Sequence, residues 1–201
     1  MIIDHSKLKG KSIYLLTLQP QNKEVIRHLA KDGRIWEFNQ MLLINESYDS
    51  QFEHYFRMAL DLSALNGQQS FTIHRVSDNS IIGMSRFYEI NPKEKRLTIG
   101  YTWYIPEAWG RVYNKECKLL MLTYAFDVLK FNRVEFNVAH QNIRSQKALE
   151  KFGAVKEGVL RKHGYRNDGE RKDTVVYSII NDEWPEKKEI LLRLMANSEN
   201  Q

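Results

Sequence analysis

A charged turn stands in front of an apolar helical stretch in the middle of this chain. The turn is Trp109-Gly110-Arg111-Val112-Tyr113-Asn114. It follows Pro106 and opens a helix expected from about Lys115 to Lys130, with Leu119, Leu120, Leu122, Ala125, Phe126 and Leu129 as its buried side. The first N–H groups of a helix have no internal partner and sit at the positive end of its dipole, so they can hold an anion. Arg111 adds a full charge there. Asn114 is the expected N-cap, and Glu116 falls in the first turn, where a carboxylate suits the dipole. A pyrophosphate could be held by such a turn. The residues match neither G-x-G-x-x-G nor a phosphate loop ending in Gly-Lys-Ser/Thr, and a plain helix start accounts for them equally. A second helix start has the same character. In Asn142-Ile143-Arg144-Ser145, the asparagine stands where an N-cap belongs and Ser145 follows in the first turn. Arg144 and Lys147 are either solvated or available to phosphates.

These two starts face one crevice only if the strands before them lie side by side and parallel, since ligands of open α/β sheets gather outside the carboxyl ends of strands. The pattern along the chain allows this. Ser12 to Leu18 reads as a first strand, ended by Pro20. Two helical stretches follow: Asn22 to Asp32, with Asn22 as its expected cap, and Tyr48 to Gly67. The second carries Phe52, Tyr55, Phe56, Ala59, Leu60 and Ser63 at helical spacing and closes on Asn66-Gly67. The period then changes. Ser70 to Val76, Ile81 to Ile90 and Arg96 to Ile105 form a meander, with turns at Ser77-Asp78-Asn79-Ser80 and at 91–95. After the charged turn and its helix, Arg133 to Ala139 alternates as a strand, and Ile143 to Gly153 is a short helix. Two strands joined by a hairpin at Asn167-Asp168-Gly169-Glu170 precede a tail helix after Pro185. The order β-αα-βββ-α-β-α-ββ predicts an α/β fold: a mixed, mostly antiparallel sheet of about seven strands with helices on both faces. The expected division is one domain over 1–185 and a helical tail over 186–201.

Composition narrows the function classes. The chain has 201 residues, of which 42% are hydrophobic and 27% charged, an ordinary globular balance. Its single cysteine, Cys117, excludes an internal disulfide and a cysteine-built metal site, fits a cytoplasmic setting, and reads as a small buried hydrophobe rather than a nucleophile. No apolar run reaches the length of a membrane span or a signal peptide. The net charge of +5 admits anionic partners, but the basic residues are scattered among acidic ones. A nucleic-acid binder gathers them on one face, so neither nucleic acid nor membrane is expected as a partner.

At the segments "IGYTWYIPEAWGRVYNKE", "AFDVLKFNRVEFNV", "NIRSQKALEKFGAVKEGVLR" and "RKDTVVYSIINDEWP", the chain resembles the GNAT superfamily of N-acetyltransferases, in its RimJ/RimL-like branch. The resemblance runs from about Lys11 to Pro185, and Asn142 to Arg161 is its most specific part. It implies acetyl-CoA as acetyl donor and a primary amine, on a protein N-terminus or a small molecule, as acceptor. The amine attacks directly in a ternary complex. The family's loop, Arg/Gln-x-x-Gly-x-Gly/Ala, falls on Trp109 to Asn114. Trp109, Val112 and Asn114 depart from it at all three marked places, while Gly110, Arg111 and Tyr113 occupy the unmarked ones. Valine disfavours φ > 0. A loop that needs that conformation at 112 is strained, and one that needs only helical φ tolerates valine. By the same resemblance, the strand end at Tyr104 and Ile105 polarises the thioester through its backbone. Asn142 bonds the pantetheine arm, and Ser145 protonates the leaving thiolate. Glu89, His140 or a relay through Tyr101 are the candidates for taking up the amine's proton. Core packing is the alternative for each of Tyr101, Trp103 and Tyr104. The departures in the loop also admit a second reading, a non-catalytic acyl-CoA-binding protein of the same fold. Monomer and homodimer are both open, because Ile190, Leu191 and Leu194 on the tail helix can pack on the domain or on a second subunit.

Overall fold

Apolar spacing resolves into elements along the chain, and a computed structural model describes residues 3–37, 45–64, 67–166 and 169–199. Strands β1 (Ile13–Thr17), β2 (Gln68–Arg75), β3 (Ile81–Asn91), β4 (Arg96–Tyr104), β5 (Arg133–Ala139), β6 (Val155–Tyr165) and β7 (Arg171–Ile180) alternate with helices α1 (Lys23–Leu29), α2 (Tyr48–Ala64), α3 (Tyr113–Thr123), α4 (Ile143–Lys151) and α5 (Trp184–Glu199). This is the order read from the sequence. The strands form one seven-stranded sheet, β1-β2-β3-β4-β5-β7-β6. All neighbours are antiparallel except β4 and β5, which run parallel.

The two sheet faces carry separate cores. In α2, Phe52, Tyr55, Phe56 and Ala59 recur at helical spacing and are buried with Ile26 of α1, Met84 of β3 and Trp103 of β4. On the other face, Cys117, Met121 and Leu122 of α3, Leu149 of α4 and Leu191 of α5 pack on Leu97 and Ile99 of β4 and on Val134, Phe136 and Val138 of β5. Fully burying one such side chain contributes about 1.5–3 kcal/mol. Strand β2 is buried at nearly every position because both of its faces are covered. Strand β6 lies at the sheet edge and is exposed along almost its whole length. The tail helix packs on the domain: Trp184 and Leu191 are core residues, with Ile190 and Leu194 against them.

Two expected caps are absent. Asn22 does not cap α1; its carboxamide oxygen accepts from the Gln19 amide at 2.8 Å and closes the short 3-10 turn Pro20–Asn22 instead. Asn114 does not cap α3, because the helix has already begun at Tyr113. The Ser63 side chain and the turn residues Asn66, Asn167 and Asp168 lie outside the described residues.

Candidate active site

The parallel pair is short. Only Arg96↔Arg133, Leu97↔Val134 and Thr98↔Glu135 are matched, so β4 and β5 part beyond Thr98 and leave a split between their carboxyl ends. A bulge in β4 lies at this point. Met84 faces Trp103 and Arg86 faces Gly100, so one residue of β3 is opposed by two of β4. Tyr101 takes φ 51 to make the bulge, a left-handed conformation that costs a tyrosine energy and is concentrated at functional sites. The bulge also shifts the strand's alternation. Leu97 and Ile99 face α3, Trp103 faces α2, and Tyr104 returns to the α3 side. At the strand end, the Ile105 amide donates to the Ile82 carbonyl at 2.9 Å. Alternation then turns the main-chain groups of Tyr104 to the opposite edge, toward the split. The Tyr104 carbonyl accepts there from the Trp109 indole at 2.9 Å. The Tyr104 phenol is buried in the α3-side core beside Cys117, and burial pushes its pKa well above the ordinary tyrosine value.

The turn before α3 has one left-handed residue, Gly110 at φ 74. Val112 is in the N-cap place with φ −63 and ψ −21, an ordinary right-handed conformation. The helical alternative for position 112 is therefore the correct one, and valine fits without strain. Valine has no polar atom to cap with, and the first bond into the helix runs from the Glu116 amide to the Val112 carbonyl at 3.0 Å. Among the described residues, the amides of 111–115 have no partner. Gly110, exposed with open space where a Cβ would be, leaves this row of donors accessible. Such a cradle suits the phosphates of coenzyme A. Arg111 is exposed beside it, Tyr113 turns its phenol toward Arg75, and Asn114 is half-buried in the first turn. Lys115 donates to Ser198 of α5 at 2.8 Å; burial, with the Lys151 charge nearby, lowers its pKa. These cations give the opening a positive character.

The second helix start is capped as the sequence predicts: the Asn142 side-chain oxygen accepts from the Ser145 amide at 3.0 Å. That leaves the carboxamide NH2 of Asn142 to donate elsewhere. The Ser145 hydroxyl is half-buried and, among the described residues, unpartnered. The two starts meet, because the Arg144 guanidinium lies over the Trp109 ring at 4.8 Å. His140 is exposed just past β5, its amide bonded to the Asp173 carbonyl at 3.0 Å and its carbonyl accepting from Gln146 at 2.6 Å. Glu89 is exposed at φ 50 and accepts from the Thr98 hydroxyl at 3.1 Å, at the closed end of the split. The structure thus brings together Trp109, Gly110, the 111–115 amides, the Tyr104 backbone, Asn142 and Ser145. Glu89 and His140 lie apart from one another, at the two ends of the split.

Sequence reasoning missed the α2-facing side of the split. Arg86 is only 3% exposed, with its guanidinium between the rings of Tyr55 and Tyr101 at 4.9 and 4.5 Å. Tyr88 meets Tyr101 edge to face and reaches the Asn137 side chain of β5; burial raises its pKa. The signal was available in "IIGMSRFYEI", where Arg86 sits two residues from Met84 on the same strand face. Lys118 was also missed. Its ammonium is buried and donates to Thr102 at 3.0 Å, above the Phe136 ring at 5.8 Å.

Among the described residues, no cluster of histidine, cysteine or acidic groups is placed to hold a metal, and no helix is long and apolar enough to cross a membrane. Residues 13–155 match the acetyltransferase (GNAT) domain family. The uncharacterised N-acetyltransferase YoaA of Bacillus subtilis (strain 168) is 37% identical over 108 residues, 54% of this chain and 60% of that protein. The B. subtilis protein YdaF, provisionally named a ribosomal N-acetyltransferase, is 33% identical over 62% of this chain and 65% of its own length. The chain thus spans less than two thirds of these two relatives. A crystal structure from T. thermophilus, provisionally named an acetyltransferase, superposes with a TM-score of 0.80 at 31% identity, covering 94% of this chain and 96% of that one. With the seven-stranded sheet, the split after Thr98 and the open helix start at Tyr113, these matches show that the chain belongs to the GNAT acetyltransferase family.

Proposed function

We propose that the protein is an N-acetyltransferase that moves the acetyl group of acetyl-CoA to a primary amine. The observation that carries this reading is the uncapped start of α3, with Gly110 left-handed and the amides of 111–115 unpaired, beside the split of β4 and β5. The amides and Arg111 would hold the diphosphate, and the Asn142 carboxamide would donate to the pantetheine arm. When bound, acetyl-CoA supplies an acetyl group already activated as a thioester. The Tyr104 main chain, turned to the split, donates where negative charge develops on the acetyl oxygen. Ser145 delivers a proton to the departing sulfur. The amine's proton leaves through water to Glu89 or His140, neither of which needs direct contact for this role. The alternative, binding without catalysis, was suggested by Val112; the right-handed φ of that residue counts against a strained turn.

The RimJ/RimL-like assignment, with a protein N-terminus as acceptor, is supported by "NIRSQKALEKFG" and by the name given to YdaF. A cytoplasmic setting is supported by the lone, buried Cys117.

The test is release of free thiol from acetyl-CoA with a panel of amines. Acceptor-dependent release is expected. Release no faster than hydrolysis with every acceptor, together with tight CoA binding, establishes the binding-only reading instead. Ser145→Ala is expected to lower kcat roughly 100-fold while the KM for acetyl-CoA stays within about twofold of wild type.

A further inference from the structure

Arg86 is a buried cation that the transfer chemistry does not use. The residue is 3% exposed, and among the described residues its buried Nε and Nη2 have no hydrogen-bond partner. Other arginines of the chain find carboxylates: Arg27 binds Asp49 and Glu53, Arg75 binds Asp78, and Arg133 binds Glu135 and Glu157. The acid that follows on the same strand, Glu89, is turned to Thr98. The Arg86 guanidinium carbon lies over the Tyr55 and Tyr101 rings, at 4.9 and 4.5 Å from their centroids, and neither ring offers the N–H groups an oxygen. The two unpartnered groups are those that donate side by side, the pair that fits the two oxygens of a carboxylate. A buried charge without such a partner is strongly disfavoured.

Position assigns the ligand to the acceptor. Arg86 pairs with Gly100, next to the Tyr101 bulge where β4 leaves β5. A Cβ on Gly100 would come within 2.8 Å of Tyr88 Cε1, so glycine lets Tyr88 lie across to Asn137 on the far side of the split. Arg86 lies on the α2 face with Met84 and Trp103. The α3 start is on the opposite face, so the phosphates held there cannot also satisfy Arg86.

We propose that Arg86, clamped between Tyr55 and Tyr101, binds a carboxylate carried by the amine acceptor. The acceptor is then an amino acid or a peptide with an acidic group near its amine. This inference rests on the acetyltransferase reading and narrows it. A polyamine, which brings only positive charge, is repelled from the same place.

The experiment compares initial rates with free α-amino acids and acidic dipeptides, with each one's carboxamide counterpart, and with spermidine. Wild type is expected to favour the carboxylate member by roughly 10- to 100-fold in kcat/KM and to leave spermidine unacetylated. Arg86→Gln is expected to bring the pair within about twofold by raising KM for the carboxylate member alone. Its turnover of the carboxamide and its KM for acetyl-CoA should not change, a pattern that general damage to the fold would not give. Arg86→Met takes its place if Arg86→Gln does not fold. Equal rates for the two members in wild type, or a preference that survives in the folded variant, overturn the proposal. If no acceptor is acetylated, the transferase reading fails by itself. Calorimetric titration of N-acetyl amino acids and their amides into the CoA-bound protein then decides the role of Arg86: a preference for the carboxylate supports it, and equal binding overturns it.

Discussion

Gly110 and Val112 divide the backbone conformations of the turn before α3 in a way that residue types alone do not show. The left-handed conformation falls on Gly110, and Val112 is helical. A Cβ on Gly110 would meet nothing within 4 Å, so Gly110→Ala carries backbone strain without a clash. The expected loss is about 1–2 kcal/mol, a Tm lower by roughly 2–8 °C in a chain of this length, together with weaker CoA binding by calorimetry. Val112→Gly is expected to leave CoA affinity within about twofold of wild type, since no glycine conformation is used there, and to lower Tm slightly through added freedom in the unfolded chain. A marked gain in affinity for Val112→Gly would show that the turn rearranges around its ligand. Much of the site was legible at this scale. Asn142 caps as read because a cap depends on near neighbours. Asn114 does not cap as expected, because the helix begins one residue before it, at Tyr113. Arg86 stayed hidden because its meaning comes from Tyr55, thirty-one residues away in the chain.

Elements were more legible than contacts. Strong periodicity placed every strand and helix of the sheet, while the parallel pairing of β4 and β5 entered only as a condition, which the structure meets. The partner of the tail helix was not legible, because an apolar face shows what is buried and not against what. The structure shows α5 closing on α3 with Leu191 fully buried. Its first turn is fixed by the Trp184 indole and the Lys188 ammonium, which both bind Asp127, at 2.9 and 2.7 Å. Asp127 lies in a π turn, Tyr124–Val128, that extends α3. Leu191→Ala is expected to cost roughly 2–5 kcal/mol, seen as a Tm lower by about 5–15 °C. An unchanged melting curve would mean that α5 is not part of the cooperative unit.

Charge acts over the whole molecule through two groups of opposite effect. The Arg133 guanidinium pulls Glu157 down to about 2 and joins β5 to β6. A carboxyl depressed by folding contributes stability above its unfolded value, about 4.5, and loses it as pH falls toward 2. The carboxylate is 38% exposed, so solvent screens much of the effect. Denaturant titrations of Glu157→Gln are expected to show a shallower loss of stability over that window than wild type. An identical slope would assign the acid limb to other carboxylates. Lys118 works the other way. Burial lowers its pKa, so the unfolded chain holds that proton more tightly. The resulting deficit is complete below the folded-state value and disappears by about pH 10.5. Lys118→Met is expected to raise Tm at neutral pH, and a fall would show that the Thr102 contact outweighs the burial of charge.

The extra residue in β4 acts as a phase shift. Before it, every second side chain points to α3, and after it the same parity points to α2. Removing one residue between Ile99 and Thr102 would restore a single phase. Trp103 would keep the α2 side and Tyr104 the α3 side, because the deletion takes away the extra residue and the shift together. When related sequences are laid beside this one, a lone gap at 100–101 therefore leaves both sets of side chains in place, whereas a gap of the same size in the regular part of the strand exchanges the two faces.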